Sequence, residues 1–202
     1  MQFACLLLAA GRSRRMQGPN KLLLNVGEMS LVRRTASEIF KSSFSNRIAV
    51  TGYDGDSILS ELQDLPFEII HNPNHLSGMH SSIRAGLLAL HDDVDAFFVC
   101  LGDQPYFHFS VLETMMNAFA TLGNRKQICY PSYNGHRGQP VLIGADHISE
   151  ILAHEDGDHG CQYLFQRYPN YVRAIEIADP RMGFDIDQPQ DYQKYLESLS
   201  HG

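Results

Sequence analysis

Hydrophobic and polar positions form two kinds of pattern that alternate along the chain. Short continuous apolar runs, clearest at residues 3–10 and 96–101, end at glycine and predict strands buried on both faces. Between such runs, apolar residues recur at helical spacing, as after Ser30, which is a candidate N-cap. Alternation of this kind predicts a doubly wound α/β sheet that binds ligands at the carboxyl ends of its strands.

The same patterns predict the remaining elements. Further strands are expected at residues 47–51, 67–70, 127–131, 140–143, 171–177 and 183–186. Helices are expected at residues 31–44, 58–62, 81–91, 109–122 and 147–153, in a short segment ending at 168, and from 190 onward. Residues 133–139 read as a polar loop. The expected fold is therefore a single Rossmann-like, three-layer α/β domain with a mostly parallel central sheet.

Composition narrows the class of protein. A chain of 202 residues with 44% hydrophobic and 19% charged residues is expected to form one globular domain, and no apolar run approaches the roughly 20 residues that span a bilayer. A net charge of −7 argues against general binding of nucleic acid. The four cysteines form no CxxC pair, and no secretory signal is recognisable, so the cytoplasm is the expected compartment.

The charge is unevenly distributed. Residues 1–50 hold eight basic and two acidic side chains, a net charge of +6, whereas the remaining 152 residues carry −13. Three arginines and one lysine lie between positions 12 and 21. This local field suits a small polyanion such as a nucleoside triphosphate, although a solvated basic loop is the plain alternative.

The loop after the first predicted strand has the composition of a phosphate-binding loop. Small residues at Ala9, Ala10 and Gly11 let backbone amides approach a ligand, and Arg15 and Lys21 can reach phosphate oxygens. The loop has neither the GK[ST] ending of a Walker A motif nor the G-x-G-x-x-G dinucleotide pattern. Taken alone, a generic glycine loop of this kind is weak evidence for a nucleotide site.

The complete motif set resembles the nucleotidyltransferases of glycosyltransferase-A-like fold, particularly the molybdenum cofactor cytidylyltransferase branch. The matching segments, in order, are LAAGRSRRM (8–16), NKLLL (20–24), GMHSS (78–82), GDQP (102–105), GHRGQP (135–140), GDHG (157–160) and FDIDQPQD (184–191). The sequence departs from close relatives at Gln17, where they usually have glycine, and at Gln139, where histidine is frequent.

The resemblance implies a division of labour along the chain. Residues 1–110 would form the nucleotide-binding half and residues 111–202 the acceptor-binding half. The nucleotide-binding residues expected from it are Leu8, Ala9, Ala10, Gly11, Arg12, Lys21, Gly78, Ser81 and Ser82. The acceptor-binding residues are His136, Arg137 and Gln139. An ordinary helix start remains the alternative for Gly78 and the serines, and a solvated hairpin tip for His136 and Arg137.

The acidic residues at the ends of the predicted strands point to a magnesium site. Mg²⁺ prefers hard oxygen ligands, and Asp103 lies at a strand end. A strand at residues 183–186 would bring Asp185 beside it as a second ligand; Asp187 is a lesser candidate, and Asp191 reads as the first-turn charge of the last helix. Turn or N-cap roles are the alternatives for Asp103, Asp185 and Asp187.

The resemblance implies an enzyme that transfers CMP from MgCTP to molybdenum-loaded molybdopterin and releases pyrophosphate. Arg15, Lys21 and Asp103 are the expected catalytic residues. CTP is favoured over GTP because Ala10 stands where guanylyltransferases usually carry glycine, and its methyl group restricts the space near the base. Two alternatives remain: transfer to another phosphorylated acceptor, such as a sugar phosphate or methylerythritol phosphate, or a non-catalytic carrier that delivers cofactor to a molybdenum hydroxylase apoenzyme.

Overall fold

The computed structural model describes residues 1–16, 18–91, 93–155 and 157–200. Within these ranges the chain forms eight strands and seven α-helices. The strands are β1 (Phe3–Ala9), β2 (Asn46–Thr51), β3 (Glu68–His71), β4 (Ala96–Leu101), β5 (Ile128–Tyr133), β6 (His136–Arg137), β7 (Val141–Gly144) and β8 (Val172–Glu176). The helices are α1 (Leu31–Phe40), α2 (Gly55–Leu62), α3 (Met79–Leu88), α4 (Phe109–Leu122), α5 (Ile148–Ala153), α6 (Gln162–Arg167) and α7 (Pro189–Ser200).

All eight strands belong to one sheet in the order β3-β2-β1-β4-β7-β5-β6, with β8 also paired to β5. Strands β1 to β4 are mutually parallel, whereas β7 runs antiparallel to both of its neighbours. Leu8 of β1 lies opposite Leu101 of β4, so the two strands end side by side. Their following loops, which carry the basic segment and the GDQP motif, therefore meet at one edge of the sheet.

Two apolar layers sandwich the sheet. One joins alternate residues of β1 and β4, such as Leu7 and Phe98, to α1, α2 and α4. The other joins the opposite faces, such as Leu6 and Val99, to α3, α5 and α6. Since successive side chains of a strand point to opposite faces, a strand covered on both sides reads as a continuous apolar run. This confirms the expected three-layer α/β architecture and its mostly parallel sheet.

A third apolar cluster attaches the last helix. Tyr195 of α7 and Ile186 pack with Met16, Val26 and Leu31, close to the start of the basic loop. The carboxyl-terminal segment therefore returns to the edge of the sheet where β1 and β4 end. No helix among the described residues is both long and apolar enough to cross a membrane.

Most predicted elements are present, and the differences are local. The prediction of a strand at residues 183–186 is wrong. This segment makes one backbone hydrogen bond to the loop after β4, and its apolar side chains pack on α7. The polar loop predicted at residues 133–139 contains the short strand β6, paired to β5. Helix α3 begins at Met79 rather than at Ser81.

Candidate active site

The loop after β1 is fixed by two polar side chains. The Ser13 hydroxyl accepts a hydrogen bond from the Lys21 amide at 3.0 Å and donates one to Asn20 Oδ1 at 3.1 Å. Asn20 Oδ1 also accepts from the Leu22 amide, which caps the short 3₁₀ turn that begins at Lys21. Ser13 itself has a positive φ of 50°. These contacts set the direction in which Lys21 leaves the loop.

Lys21 lies at the centre of an ion-pair cluster. Its Nζ is 2.7 Å from Asp103 Oδ2 and 2.7 Å from Asp187 Oδ1, while Arg15 Nη1 is 2.8 Å from Asp187 Oδ2. Burial acts to lower the pKa of Lys21, but the two carboxylates outweigh it and the pKa is raised. Likewise, burial of Asp187 is outweighed by Lys21 and Arg15, so its pKa is lowered. Both charges of this pair are therefore stabilised at neutral pH.

Asp185 lies beside Asp103, as the sequence predicts, although an irregular segment rather than a strand brings it there. The Ile186 amide donates to the backbone carbonyl of Asp103 at 3.2 Å. The buried Gln104 side chain donates to Asp185 Oδ1 at 3.0 Å. Burial, together with the nearby Asp103 charge, raises the pKa of Asp185 to about 6. These two carboxylates thus repel each other and are held together by the fold.

The pair of carboxylates fits a divalent cation. Asp103 Oδ1 is buried and has no hydrogen-bond partner among the described residues, whereas its Oδ2 faces Lys21. Within the described ranges, no group of three or more His, Cys, Asp or Glu side chains forms a complete metal cage. Mg²⁺ is commonly held by one or two carboxylates together with substrate phosphates and water. The donor set at Asp103 and Asp185 is of that kind.

The residues expected to contact the nucleotide fall into two groups. Leu8 and Ala9 are buried in β1, and the Leu8 carbonyl accepts from the Gly102 amide at 3.2 Å, which joins the two loops. Ala10 is buried at the end of β1, and the space around Gly11 is open. Arg12 is exposed, and its guanidinium lies 5.6 Å from the ring centre of Tyr53. Gln17 lies outside the described residues.

The second group lies at the start of α3. Gly78 precedes the helix with φ of 100°. The Ser81 and Ser82 hydroxyls are buried and both accept from the Asn72 side chain, at 2.9 and 3.1 Å. Ser81 also donates to the carbonyls of Asn74 and Gly78. In the free protein both serines therefore hold the loop before α3 in place.

The acceptor-side residues lie at a separate pocket. His136 and Arg137 form β6 and are exposed, as a hairpin would have them. Arg137 and Gln139 both line a small, partly open pocket that lies against β4 and β7. The Arg137 guanidinium stacks 3.6 Å from the ring centre of Phe165. Among the described residues, His136 does not line this pocket.

Some site residues were missed or underrated from sequence. Asp187 ranked below Asp185, yet it forms ion pairs with both cations of the cluster. Its position two residues after Asp185 was the only local signal for this role. The Gln104 side chain bonds to Asp185, which is 81 positions further along the chain. The Asn72 side chain bonds to Ser81, nine positions further along. Hydrophobic periodicity predicts neither contact.

The fold and this cluster define a class of protein. An α/β sheet that gathers cations and paired carboxylates at the ends of β1 and β4 is equipped to handle a metal-bound nucleoside triphosphate, which is the task of a nucleotidyltransferase. Residues 5–172 match the family described as MobA-like NTP transferase domain, and the chain belongs to that family. It is accordingly a nucleotidyltransferase of the MobA-like type, a class that uses divalent metals.

Named relatives differ in their substrates. The chain is 26% identical over 194 residues to a nicotine blue oxidoreductase from Paenarthrobacter nicotinovorans, covering 94% of each chain. It is 27% identical over 198 residues to the molybdenum cofactor cytidylyltransferase of Escherichia coli K12, covering 96% of this chain and 97% of that one. It is 33% identical over 205 residues to a probable molybdenum cofactor guanylyltransferase from Pelotomaculum thermopropionicum, covering 96% and 92%.

A solved structure supports the fold. The manganese complex of Rv0371c from Mycobacterium tuberculosis H37Rv superposes with a TM-score of 0.78 at 20% identity, covering 98% of this chain and all of that one.

Proposed function

We propose that this protein transfers CMP from magnesium-bound CTP to the terminal phosphate of molybdenum-loaded molybdopterin, forming the cytosine dinucleotide of the cofactor. The observation that carries the proposal is the buried, unpartnered Asp103 Oδ1, placed beside Asp185 and next to Lys21. The cytidylyltransferase relative, aligned over nearly its entire length, supports the choice of reaction.

The chemistry needs no nucleophile from the protein. An oxygen of the acceptor phosphate attacks the α-phosphorus, a new P–O bond forms, and the bond to the bridging oxygen breaks with its electron pair leaving on pyrophosphate. Asp103 and Asp185 would hold Mg²⁺, which when bound neutralises phosphate charge and aligns the triphosphate. The work left to the chain is to position both phosphates in line and to stabilise charge.

Lys21 and Arg15 are the cations placed to act on the triphosphate. Lys21 is rigid, because its backbone is tied to Ser13 and its side chain is only 15% exposed. Arg15 is 70% exposed and can swing toward the leaving pyrophosphate. In this division of roles Lys21 stabilises charge on the transferring group, and Arg15 binds the outer phosphates.

The proposal also covers the choice of base and the roles of the two halves of the chain. Ala10 lies beside Gly52 at the carboxyl end of β1, where its methyl group restricts the space for a base and favours the smaller pyrimidine. Residues 1–110 supply most of the nucleotide side. Residues 111–202 supply the acceptor side through Arg137 and Gln139 and return Asp185 to the metal. The reaction is placed in the cytoplasm, with a molybdenum hydroxylase apoenzyme as recipient of the product.

The decisive experiment measures pyrophosphate release with Mg²⁺ and molybdenum-loaded molybdopterin, with CTP, GTP, ATP and UTP supplied separately. Release with CTP alone is expected, and Asp103→Asn should slow it about 100-fold or more. Lys21→Ala should raise the KM for CTP more than that for the acceptor. Asp64→Asn and Lys41→Ala each remove one charge from an ion pair that contains no residue of the cluster; they serve as matched controls and should retain the full rate.

Other outcomes would redirect the assignment. Release with GTP alone would reverse the base choice. Release only with a sugar phosphate or methylerythritol phosphate as acceptor would retain the class of reaction and replace the substrate. Binding of the cofactor without turnover, by protein shown to be folded, would indicate a carrier.

A further inference from the structure

Gln104 is a buried amide in the GDQP turn (residues 102–105) that follows β4. Only 4% of the residue is exposed. A buried amide lowers stability unless it is hydrogen-bonded. In the part of the chain that the structure describes, the Gln104 side chain has one hydrogen-bond partner, because its Nε2 donates to Asp185 Oδ1 at 3.0 Å. Burial of an amide at this position is therefore accounted for by its contact with that carboxylate.

The Asp103 and Asp185 carboxylates each have one oxygen that the chain binds and one that it does not. Asp103 Oδ2 lies 2.7 Å from Lys21 Nζ, whereas Asp103 Oδ1 is buried and has no hydrogen-bond partner. Asp185 Oδ1 accepts from Gln104, whereas Asp185 Oδ2 forms no hydrogen bond or ion pair with another described residue. One oxygen of each carboxylate thus remains for a ligand, and a divalent cation is a ligand that two carboxylates can share.

The two donors that hold these carboxylates differ in charge. Lys21 is a cation and offsets part of the Asp103 charge, but the Gln104 amide is neutral. A neutral donor fixes the orientation of a carboxylate through a directional bond and leaves its negative charge to attract a metal ion. A cationic side chain at this position would instead form an ion pair with Asp185 and compete with the metal.

The turn that carries Gln104 is anchored on two sides. Arg34 of α1 donates from Nε to the Pro105 carbonyl at 2.6 Å. On the other side, the Tyr106 ring packs edge-on against the Phe184 ring, with the ring centres 5.6 Å apart. The amide of Gln104 therefore acts from a fixed backbone, which is what a group that orients a metal ligand requires.

From these contacts we infer that Gln104 is a positioning residue for the metal site: its amide holds Asp185 by Oδ1 and keeps Oδ2 available to the divalent cation. Gln104 acts through Asp185 and contacts neither the metal nor a substrate. Hydrogen-bond partners of metal ligands typically contribute about 10- to 100-fold to metal affinity. The inference rests on the proposed function, because it takes Asp103 and Asp185 as the ligands of the metal.

The test measures Mn²⁺ binding to the full chain without nucleotide, from the electron paramagnetic resonance signal of free Mn²⁺. Mn²⁺ is a suitable probe because it prefers the same oxygen ligands as Mg²⁺. Asp103→Asn should abolish binding, which would assign the bound ion to this site. Gln104→Met keeps an unbranched side chain of similar length and removes its donor, so the Kd for Mn²⁺ should rise about tenfold.

Gln127→Met is the matched control, because Gln127 is also buried, at 5% exposure, and lies at the other end of β4. Its carbonyl accepts from the Gly144 amide, and Gly144 pairs with Ala96, the first residue of β4. This variant should bind Mn²⁺ as tightly as wild type. Gln104→Asn is a second test variant, which keeps the amide but shortens its reach by one methylene group, and it should also weaken binding.

Three results would overturn the inference. One is absence of Mn²⁺ binding to the folded wild-type protein. Another is a wild-type Kd in either variant at Gln104. The third is equal weakening in Gln127→Met, which would indicate a general loss of core packing. A purely structural role for Gln104 would lower the melting temperature of the metal-free protein without changing the Kd for Mn²⁺.

Mn²⁺ binding needs no turnover, so the two proposals can fail separately. If Gln104→Met weakens Mn²⁺ binding as expected but no nucleotide yields pyrophosphate, the transfer reaction fails and the role of Gln104 stands. If pyrophosphate is released from CTP and Gln104→Met binds Mn²⁺ as wild type does, the role of Gln104 fails alone.

Discussion

The ionised Asp185 carboxyl lowers the stability of the free protein. It is mostly buried beside Asp103, and its pKa is raised from 3.8 to about 6. A carboxyl that binds its proton more tightly in the folded than in the unfolded state destabilises the folded protein once both states are ionised. Its contribution to stability therefore falls as pH rises from about 4 to about 6 and stays low above that range.

Asp185→Asn should therefore stabilise the free protein above pH 6. Removal of the buried charge is expected to add about 1–2 kcal/mol at pH 7.5, after allowance for solvent screening, or a rise in melting temperature of about 3–6 °C. The advantage over wild type should vanish near pH 4. Thermal unfolding across this pH range measures it.

Glu155→Gln is the control for this experiment, because its carboxylate is exposed and its replacement should change the melting temperature little. A variant at Asp185 that melts below wild type at pH 7.5 would contradict the account of the carboxylate pair. Added Mg²⁺ should stabilise wild type and leave the variant unchanged.

Sequence reasoning at the residue scale worked where a side chain acts at the end of a strand. Lys21 and Asp103 could be placed together because the parallel strands β1 and β4 end at one edge of the sheet. Asp185 was placed beside them through a strand that does not form. The importance of Asp187 could not be ranked, since its ion pair with Lys21 joins residues 166 positions apart and depends on how α7 packs. The hydroxyls of Ser81 and Ser82 bond to Asn72, a contact that a motif does not specify.

At the scale of elements, the start of α3 depends on a backbone conformation. Gly78 has φ of 100°, and an added Cβ would lie 2.7 Å from Asp158 Oδ1 and from backbone atoms of Gly157. Both the conformation and the close approach favour glycine.

Gly78→Ala should therefore destabilise the protein by about 1–3 kcal/mol and displace the 157–160 turn. Chemical denaturation measures the free energy of unfolding. Gly157→Ala is a matched control in the same turn, because its added methyl group meets no atom within 4 Å. Equal stability of the two variants would mean that the turn moves freely away from α3.

The strand predicted at residues 183–186 shows where periodicity misleads. Phe184 and Ile186 alternate with aspartates as in a half-buried strand, but their apolar side chains join the cluster of Tyr195 and Leu31 instead of a sheet face. Alternation reports which side chains are buried and does not say whether a neighbouring strand supplies backbone partners. Strand β6 was not predicted, because two polar residues are too few to show an alternating pattern.

At the scale of the whole molecule, the parallel half of the sheet could be derived from the alternation of strands and helices. The antiparallel insertion of β7 between β4 and β5 could not, because chain direction within a sheet is set by the connections and not by the composition of a strand. This insertion nonetheless supplies Val141 and Ile143 to the pocket that Arg137 and Gln139 line.

The core also determines the behaviour of the thiols. All four cysteines are buried and free. Burial raises the pKa of Cys129 to about 11 and that of Cys161 to about 12, and burial raises the pKa of Cys100 as well. Because the thiolate is the reactive form, these thiols are expected to be poor nucleophiles in the folded state.

Alkylation by iodoacetamide at pH 8 should accordingly proceed at least about 100-fold more slowly in the folded protein than in guanidinium chloride. Mass spectrometry of peptides reports the rate at each cysteine. Rapid labelling of Cys161, which lines the pocket, would show that the pocket opens more widely than its walls allow. Slow labelling at all four positions would confirm a closed core.

The Lys21 ion pairs carry a last consequence, for discrimination among anions. In the free protein the cation already has resident counter-ions from the chain itself, one on each side. Under the proposed function, a bare phosphate that approaches Lys21 would be repelled by these two carboxylates. A nucleotide that carries its metal would bring a cation for Asp103 and would leave more of the Lys21 charge to the phosphates. Asp103 and Asp187 would thus act as internal competitors that favour a metal-carrying anion over a bare one.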